Sequence, residues 1–259
     1  MRFGATSYVY PADLVTNAQH LSHLVEDMEL VLFDVPGFGS NIPDEATVAR
    51  LRTVAQRHGL TYTVHLPQNL EGMQPGDRLP PSLILARRVI DCTRALAPWA
   101  YVVHLDGSEI EDDRTPSTLR SWRARAARSL EVIITWVGDA SLVCLENVER
   151  WPPEAFDPLV DELGLGRCID VGHLWQQGRD PAGYLDRWLQ RARVVHLHGA
   201  ANGEDHQSLA VMPLDQLAPV AARLAGGFDG VVTLEVFSHE ELRTSLLAWR
   251  RTLEALGGG

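Results

Sequence analysis

Short runs of aliphatic and β-branched residues recur along the chain, and the longer stretches between them repeat their apolar positions at helical spacing. The short runs predict strands at Arg2–Thr6, Glu29–Asp34, Thr61–Leu66, Ala100–Leu105, Ser141–Glu146, Arg167–Val171, Arg193–Leu197 and Gly230–Glu235. Their near-continuous apolar character, as in Val31-Leu32-Phe33 and Val194-Val195, suits parallel strands covered on both faces. Asp44–His58 carries apolar residues at Val48, Leu51, Val54 and Ala55, the stripe of an amphipathic helix. Ser82–Leu96 follows Pro80-Pro81 and Ser117–Trp136 follows Thr115-Pro116, both helix-start signals; Pro213–Leu224 and His239–Leu256 close the helical series. Alternating strands and helices define an α/β protein, and eight strands predict a closed (β/α)8 TIM barrel, which leaves no strand as an edge. An open doubly wound sheet is the competing arrangement, but no G-x-G-x-x-G follows the first strand.

The length of 259 residues matches one such barrel. No linker or repeat divides 1–259, so a single domain is expected, with 256–259 as a frayed tail. Gln68–Pro81, rich in Gly, Pro and polar residues, reads as a loop over the active face. The chain opens directly into a strand pattern without the features of a signal peptide, and no apolar run is long enough to span a bilayer. Cys92, Cys144 and Cys168 are scattered in apolar segments and read as buried free thiols, so a cytoplasmic protein without a membrane partner is expected. All 23 basic residues are arginine, which excludes Schiff-base chemistry and a P-loop lysine. The net charge is −11, and the one basic cluster, Arg120, Arg123, Arg125 and Arg128, reads as a solvated helix face. A nucleic-acid partner is therefore not expected. Oligomeric state leaves no mark in the pattern.

The chemistry gathers at the strand ends. The third strand ends in His65 and the fourth in His104; the fifth ends in Glu146 and the sixth in Asp170 with His173 just beyond. The seventh carries His196 and His198, the eighth ends in Glu235, and the loop after the seventh holds Glu204, Asp205 and His206. In a barrel these ends converge on one mouth. Carboxylates crowded there without lysine partners repel one another unless a cation is present. Imidazole with carboxylate is a ligand set for zinc, manganese or iron, and two or three such ions could clamp a phosphate and activate a water. Taken singly, each residue has a plainer role: a hydrogen-bonded histidine, an arginine-paired glutamate, or Asp170 as a helix cap. Six strands ending alike favour the metal reading. His20, His23, His58 and His239 fall on helices or helix ends and read as solvated, and the tryptophans as packing residues, with Trp175 a possible wall of the pocket.

This series resembles the xylose isomerase-like barrel superfamily, and within it the endonuclease IV branch, along essentially the whole chain. The branch uses His, His, Glu, Asp-x-x-His, His, Asp-x-His and Glu at successive strand ends. His65, His104, Glu146, Asp170 with His173, His196 and Glu235 match; the Asp-x-His element departs, reading Glu204-Asp205-His206. The resemblance implies one metal on His65, His104 and Glu146, and a second on Glu146, Asp170, His196 and Glu235. A third would fall to His173, His206 and one acid of the 204–205 pair. Three divalent ions against four carboxylates would leave a positive surplus suited to a phosphodiester. Gly4-Ala5-Thr6-Ser7-Tyr8, Pro11-Ala12-Asp13, the Glu29–Phe33 strand, Val195–Gly199 and Asp205–Leu209 are similar to the cobamide-remodelling phosphodiesterases of this branch. That likeness implies hydrolysis of the phosphodiester in the nucleotide loop of a cobamide, a small-molecule substrate. Glu146 would bridge, Glu235 assist the attacking water, and His65 and His104 complete the catalytic set; His198, on the same strand face as His196, would bind substrate from behind the ligands, and Trp175 would line the pocket. Sugar isomerisation on a single ion is the alternative; abasic-site cleavage ranks lower on charge, and a catalytically silent barrel lowest.

Overall fold

The computed structural model describes residues 1–257. Eight parallel strands close into a barrel: β1 (Arg2–Thr6), β2 (Asp27–Val31), β3 (Thr61–His65), β4 (Tyr101–Val103), β5 (Val143–Glu146), β6 (Gly166–Asp170), β7 (Ala192–Leu197) and β8 (Val231–Leu234). Each strand pairs with its sequence neighbours, and β1 closes the ring on β8. Nine helices are described: α1 (Leu14–Leu21), α2 (Glu45–His58), α3 (Pro81–Thr93), α4 (Pro116–Val137), α5 (Asp157–Leu163), α6 (Val171–Gln176), α7 (Pro181–Trp188), α8 (Leu214–Ala225) and α9 (His239–Gly257). The single (β/α)8 barrel expected from the hydrophobic pattern is the observed architecture.

Local chemistry sets the element ends. Asp44 caps α2 by accepting from the Thr47 amide, and Gly59, left-handed at φ 72°, terminates it. Thr115 and left-handed Gly138 do the same for α4. β2 starts at Asp27, ahead of its apolar run, and ends early at Val31, where the Asn41 side chain binds Val31 O and the Phe33 amide and draws the chain out of the sheet. Asp34–Val35 then pairs with Gly39–Ser40 as a small hairpin. α9 runs on to Gly257; Gly258 and Gly259 lie outside the described residues.

The main core lies between strands and helices, where Leu30, Leu51, Tyr62, Leu83, Leu130 and Val232 are buried. Inside the barrel a second, smaller cluster joins Ala100, Val102, Cys144, Cys168 and Val194 over Trp99. The guanidinium groups of Arg2 and Arg193 sit 4.0 and 4.1 Å from the Trp99 ring centre and help seal the N-terminal end. Because side chains alternate along a strand, the same inward faces continue two residues later to His104, Glu146, Asp170 and His196. The barrel changes from apolar to ionisable within one pleat.

The Gln68–Pro81 loop is anchored at two points: Leu70 is buried beside Leu105, and the Met73 amide donates to Arg125 O on α4. Two expectations need correction. The arginines of α4 are not simply solvated, since Arg123 donates to Ala155 O, Arg128 to Met73 O, and Arg125 pairs with Glu109. Of the thiols, Cys144 and Cys168 are buried and Cys92 is half-buried. No helix among the described residues is long and apolar enough to cross a membrane.

Candidate metal centre

Glu146, at the end of β5, is the hub of the mouth. Its Oε2 lies 2.9 Å from His104 Nε2 and 3.4 Å from His65 Nε2, while its Oε1 lies 2.9 Å from His196 Nδ1. Nδ1 of His65 faces Leu66 O at 2.9 Å, so the Nδ1–H donates to that carbonyl and Nε2 turns to the cluster. His196 Nδ1 also lies 3.1 Å from Glu235 Oε2 and 3.9 Å from Asp170 Oδ2. Two ligand sets thus share Glu146: His65 with His104, and Asp170 with His196 and Glu235. Within each, the ligand atoms lie within 4.8 Å of one another.

Asp170 combines its two sequence readings. Oδ1 caps α6 by accepting from the His173 amide at 2.6 Å, and Oδ2 faces the cluster. Asn147 holds it in place, donating from Nδ2 to Asp170 O and accepting at Oδ1 from the Asp170 amide. The Asn147 carbonyl also accepts from His173 Nδ1–H at 3.0 Å, which frees His173 Nε2.

The third set forms around His173 and His206. The Asn202-Gly203 turn has positive φ at both residues, the hairpin geometry that brings Glu204–Gln207 back beside Gly199–Ala201. His206 itself is left-handed at φ 51°, a strained backbone for a non-glycine residue. Asp205 Oδ2 lies 4.0 Å from Nε2 of both His173 and His206. Glu204 instead accepts from Gln207 and is exposed, so Asp205 is the acid of the pair that faces the site.

His198 also lies near these two rings, yet both its nitrogens are engaged. Nε2 faces Asp170 at 3.2–3.3 Å, and Nδ1 meets the His206 amide at 2.9 Å and Gly199 O at 3.2 Å. Fully buried, His198 orients Asp170 and the His206 hairpin rather than touching substrate. Gly172 makes room for it: a Cβ there would lie 2.1 Å from His198 Cε1. Trp175 lines a separate cavity of about 340 Å³ with Pro181, Ala182 and Pro219, away from the ligand sets.

Two carboxylates escaped the sequence reading. Glu29, in the middle of β2 and 0% exposed, places Oε2 2.9 Å from His196 Nε2. Glu149 Oε2 lies 3.7 Å from His173 Nε2. With them the four carboxylates expected become six, so three divalent ions would be balanced, not in positive surplus.

The electrostatics fit cations. Burial opposes charge on His65, but its hydrogen bond to Glu146 and that carboxylate's charge outweigh it and raise the pKa to about 9. Burial likewise opposes charge on His196, yet the acidic groups around it carry its pKa well above the ordinary value. Burial would raise Glu146 and Glu235, but His196 first, with His104 for Glu146, draws both below the usual carboxylate range. Protons on imidazole therefore occupy the role a metal would take. Glu29 Oε1 and His206 Nδ1 are buried without hydrogen-bond partners, a deficit that a cation beside His206 would relieve. The donor set suits borderline divalent metals. The Cys168 thiol is pushed far up by burial and stays neutral, which makes it a packing group beside His196.

Beside the centre opens a cleft of about 1050 Å³, lined by Tyr8, Tyr10, Phe33, Asn41, Phe237 and His239 among others. Phe237 packs edge-on against His206 at 5.2 Å and is 43% exposed. His239 and His20, expected to be solvated, are exposed but both pack against the Tyr10 ring.

Fold and site together define a TIM barrel with a metal-competent C-terminal mouth. The chain belongs to the xylose isomerase-like TIM barrel family, whose model matches residues 25–256. Among solved structures, a D-tagatose 3-epimerase-like protein is 18% identical, with 100% of this chain and 99% of that one covered at a TM-score of 0.76. A 3-keto-D-glucoside 4-epimerase from E. coli is 15% identical, covering 97% and 99% at 0.70. Endonuclease IV from Thermus thermophilus is 21% identical, covering 98% and 100% at 0.70. These likenesses speak to the fold. Among curated proteins no match is found.

Proposed function

We propose that this protein is a metal-dependent hydrolase of a phosphodiester, and that its substrate is the nucleotide-loop phosphodiester of a cobamide. The observation that carries the reading is the multiplicity of ligand sets at one mouth. Glu146 serves two of them, and His173, His206 and Asp205 offer a third. One ion would leave most of these histidines without a purpose. The large aromatic cleft beside the centre suits a bulky substrate.

Zinc, manganese or iron ions would be held by His65, His104 and Glu146, by Glu146, Asp170, His196 and Glu235, and by His173, His206 and Asp205. Bound there, they would neutralise phosphate oxygens and make water more acidic. Glu146 fixes the spacing of the first two sets. Glu235, whose Oε2 lies 3.1 Å from His196 Nδ1 at the mouth, would take a proton from the attacking water. Asn147 and His198 hold Asp170 and the His206 hairpin in register.

A second reading is favoured by a different observation. Glu146, Asp170, His196 and Glu235 form a complete set alone, and the solved structures of similar fold include several sugar epimerases. That reading needs one ion and a polyol substrate. Metal-loaded protein incubated with an adenosylated cobamide, and separately with ketohexoses, separates the two. A split cobamide product, lost on chelation, supports hydrolysis; epimerised sugar with an intact cobamide overturns it.

A further inference from the structure

We infer that Glu29 is a positioning residue that holds His196 as a metal ligand from inside the barrel. His196 has one nitrogen on each side of a divide. Nδ1 faces Glu146, Glu235 and Asp170, whereas Nε2 faces only Glu29 Oε2, at 2.9 Å. Both Glu29 and His196 are 0% exposed, so no water competes for this bond. The Nε2–H can only donate to Glu29, which leaves the Nδ1 lone pair to a cation. A carboxylate behind a ligating imidazole fixes its tautomer and ring plane and raises its basicity.

The register explains why Glu29 can do this and a ligand cannot replace it. Glu29 pairs with Thr63 on β3 and Thr6 on β1, below the rim where His65 ends β3. Its other oxygen, Oε1, has no protein partner, nor do the hydroxyls of Thr63 and Thr233. Those neighbours leave Glu29 bound through one oxygen, to one histidine. Its role lies in holding the ring, not in contact with substrate.

This inference rests on metal binding at the Glu146–Asp170–His196–Glu235 set, and its test keeps the two apart. Zinc and manganese affinities of wild-type protein, Glu29→Gln and Glu29→Leu would be measured by competition with a chromogenic chelator, alongside ion content and thermal unfolding. The expected result is unchanged ion content at saturation, with affinity at one site weakened about 10- to 100-fold and the other sites unaffected. Glu29→Leu should be weaker than Glu29→Gln, which retains an acceptor. In the His196→Ala background Glu29→Gln should have no further effect. The His196 Nε2–H proton resonance of the zinc-loaded protein should move upfield in Glu29→Gln. Wild-type affinity in a folded Glu29→Gln protein overturns the inference, as does loss of one ion at saturation, which would make Glu29 a ligand. Failure of wild-type protein to bind metal overturns the metal centre itself.

Discussion

The two ends of the barrel interior are built on the same strands and differ in almost every physical respect. At the N-terminal end Val102, Cys144, Cys168 and Val194 pack over Trp99, whose ring lies between two guanidinium groups and whose indole N–H donates to Arg193 O. Two residues further on, the same faces carry His104, Glu146, Asp170 and His196, with like charges a few ångströms apart and buried polar atoms left unpaired. A sealed apolar floor stabilises the barrel. A mouth with unmet electrostatic demand is where a fold holds its chemistry.

The largest effect should come from the hub of the mouth. Glu146→Gln removes the charge shared by His65, His104 and His196, and turnover of the substrate should disappear while the protein remains folded. Near-normal steady-state rates in that variant would remove Glu146 from the mechanism. At the other end, Trp99→Ala should lower unfolding free energy by about 3 kcal/mol. Metal content per folded molecule should stay unchanged. A loss of metal affinity there would show that floor and mouth are not separable.

The metal-free mouth should also respond to pH. His65 has a folded pKa raised from 6.5 to about 9. Its stabilising contribution is therefore full below pH 6.5 and is lost as pH rises through 9, up to about 3 kcal/mol in size. Urea unfolding of metal-free protein between pH 6 and 9.5 reads this directly. Because ligation needs neutral imidazole, metal-loaded protein should gain on the metal-free form over the same range. The smallest effect is expected at Gly172→Ala, whose methyl meets the buried His198 ring. It should cost about 1–3 kcal/mol and weaken metal binding at the His173–His206 set, leaving the other two sets intact.

Much of this was legible in the chain. The six polar strand ends stand out because each follows a short run rich in aliphatic or β-branched residues, and the structure brings all six to one mouth. Helices α2, α3, α4, α8 and α9 are long enough to display their stripe. The shorter α1, α5, α6 and α7 run six to eight residues, too few for periodicity to register. Glu29 was hidden by register: the apolar run Leu30–Phe33 drew the predicted strand two residues late, so Glu29 stood at its outer start. The hydrogen bonds of Asn41 that end β2 early link residues eight and ten apart, and no local pattern announces them. The choice of Asp205 over Glu204 depends on left-handed backbone at Asn202, Gly203 and His206, of which only Asn-Gly has a sequence signature. The buried Arg167, bonded to Tyr184 and paired with Asp157 between β6 and the helices, carries no such signature.

Anomalous diffraction from crystals grown with zinc or manganese tests the centre most directly. A multinuclear centre requires one peak bounded by His65, His104 and Glu146 and a second bounded by Glu146, Asp170, His196 and Glu235, with His173, His206 and Asp205 around any third. A lone peak in the second position, or no peak within reach of Glu146, would contradict it.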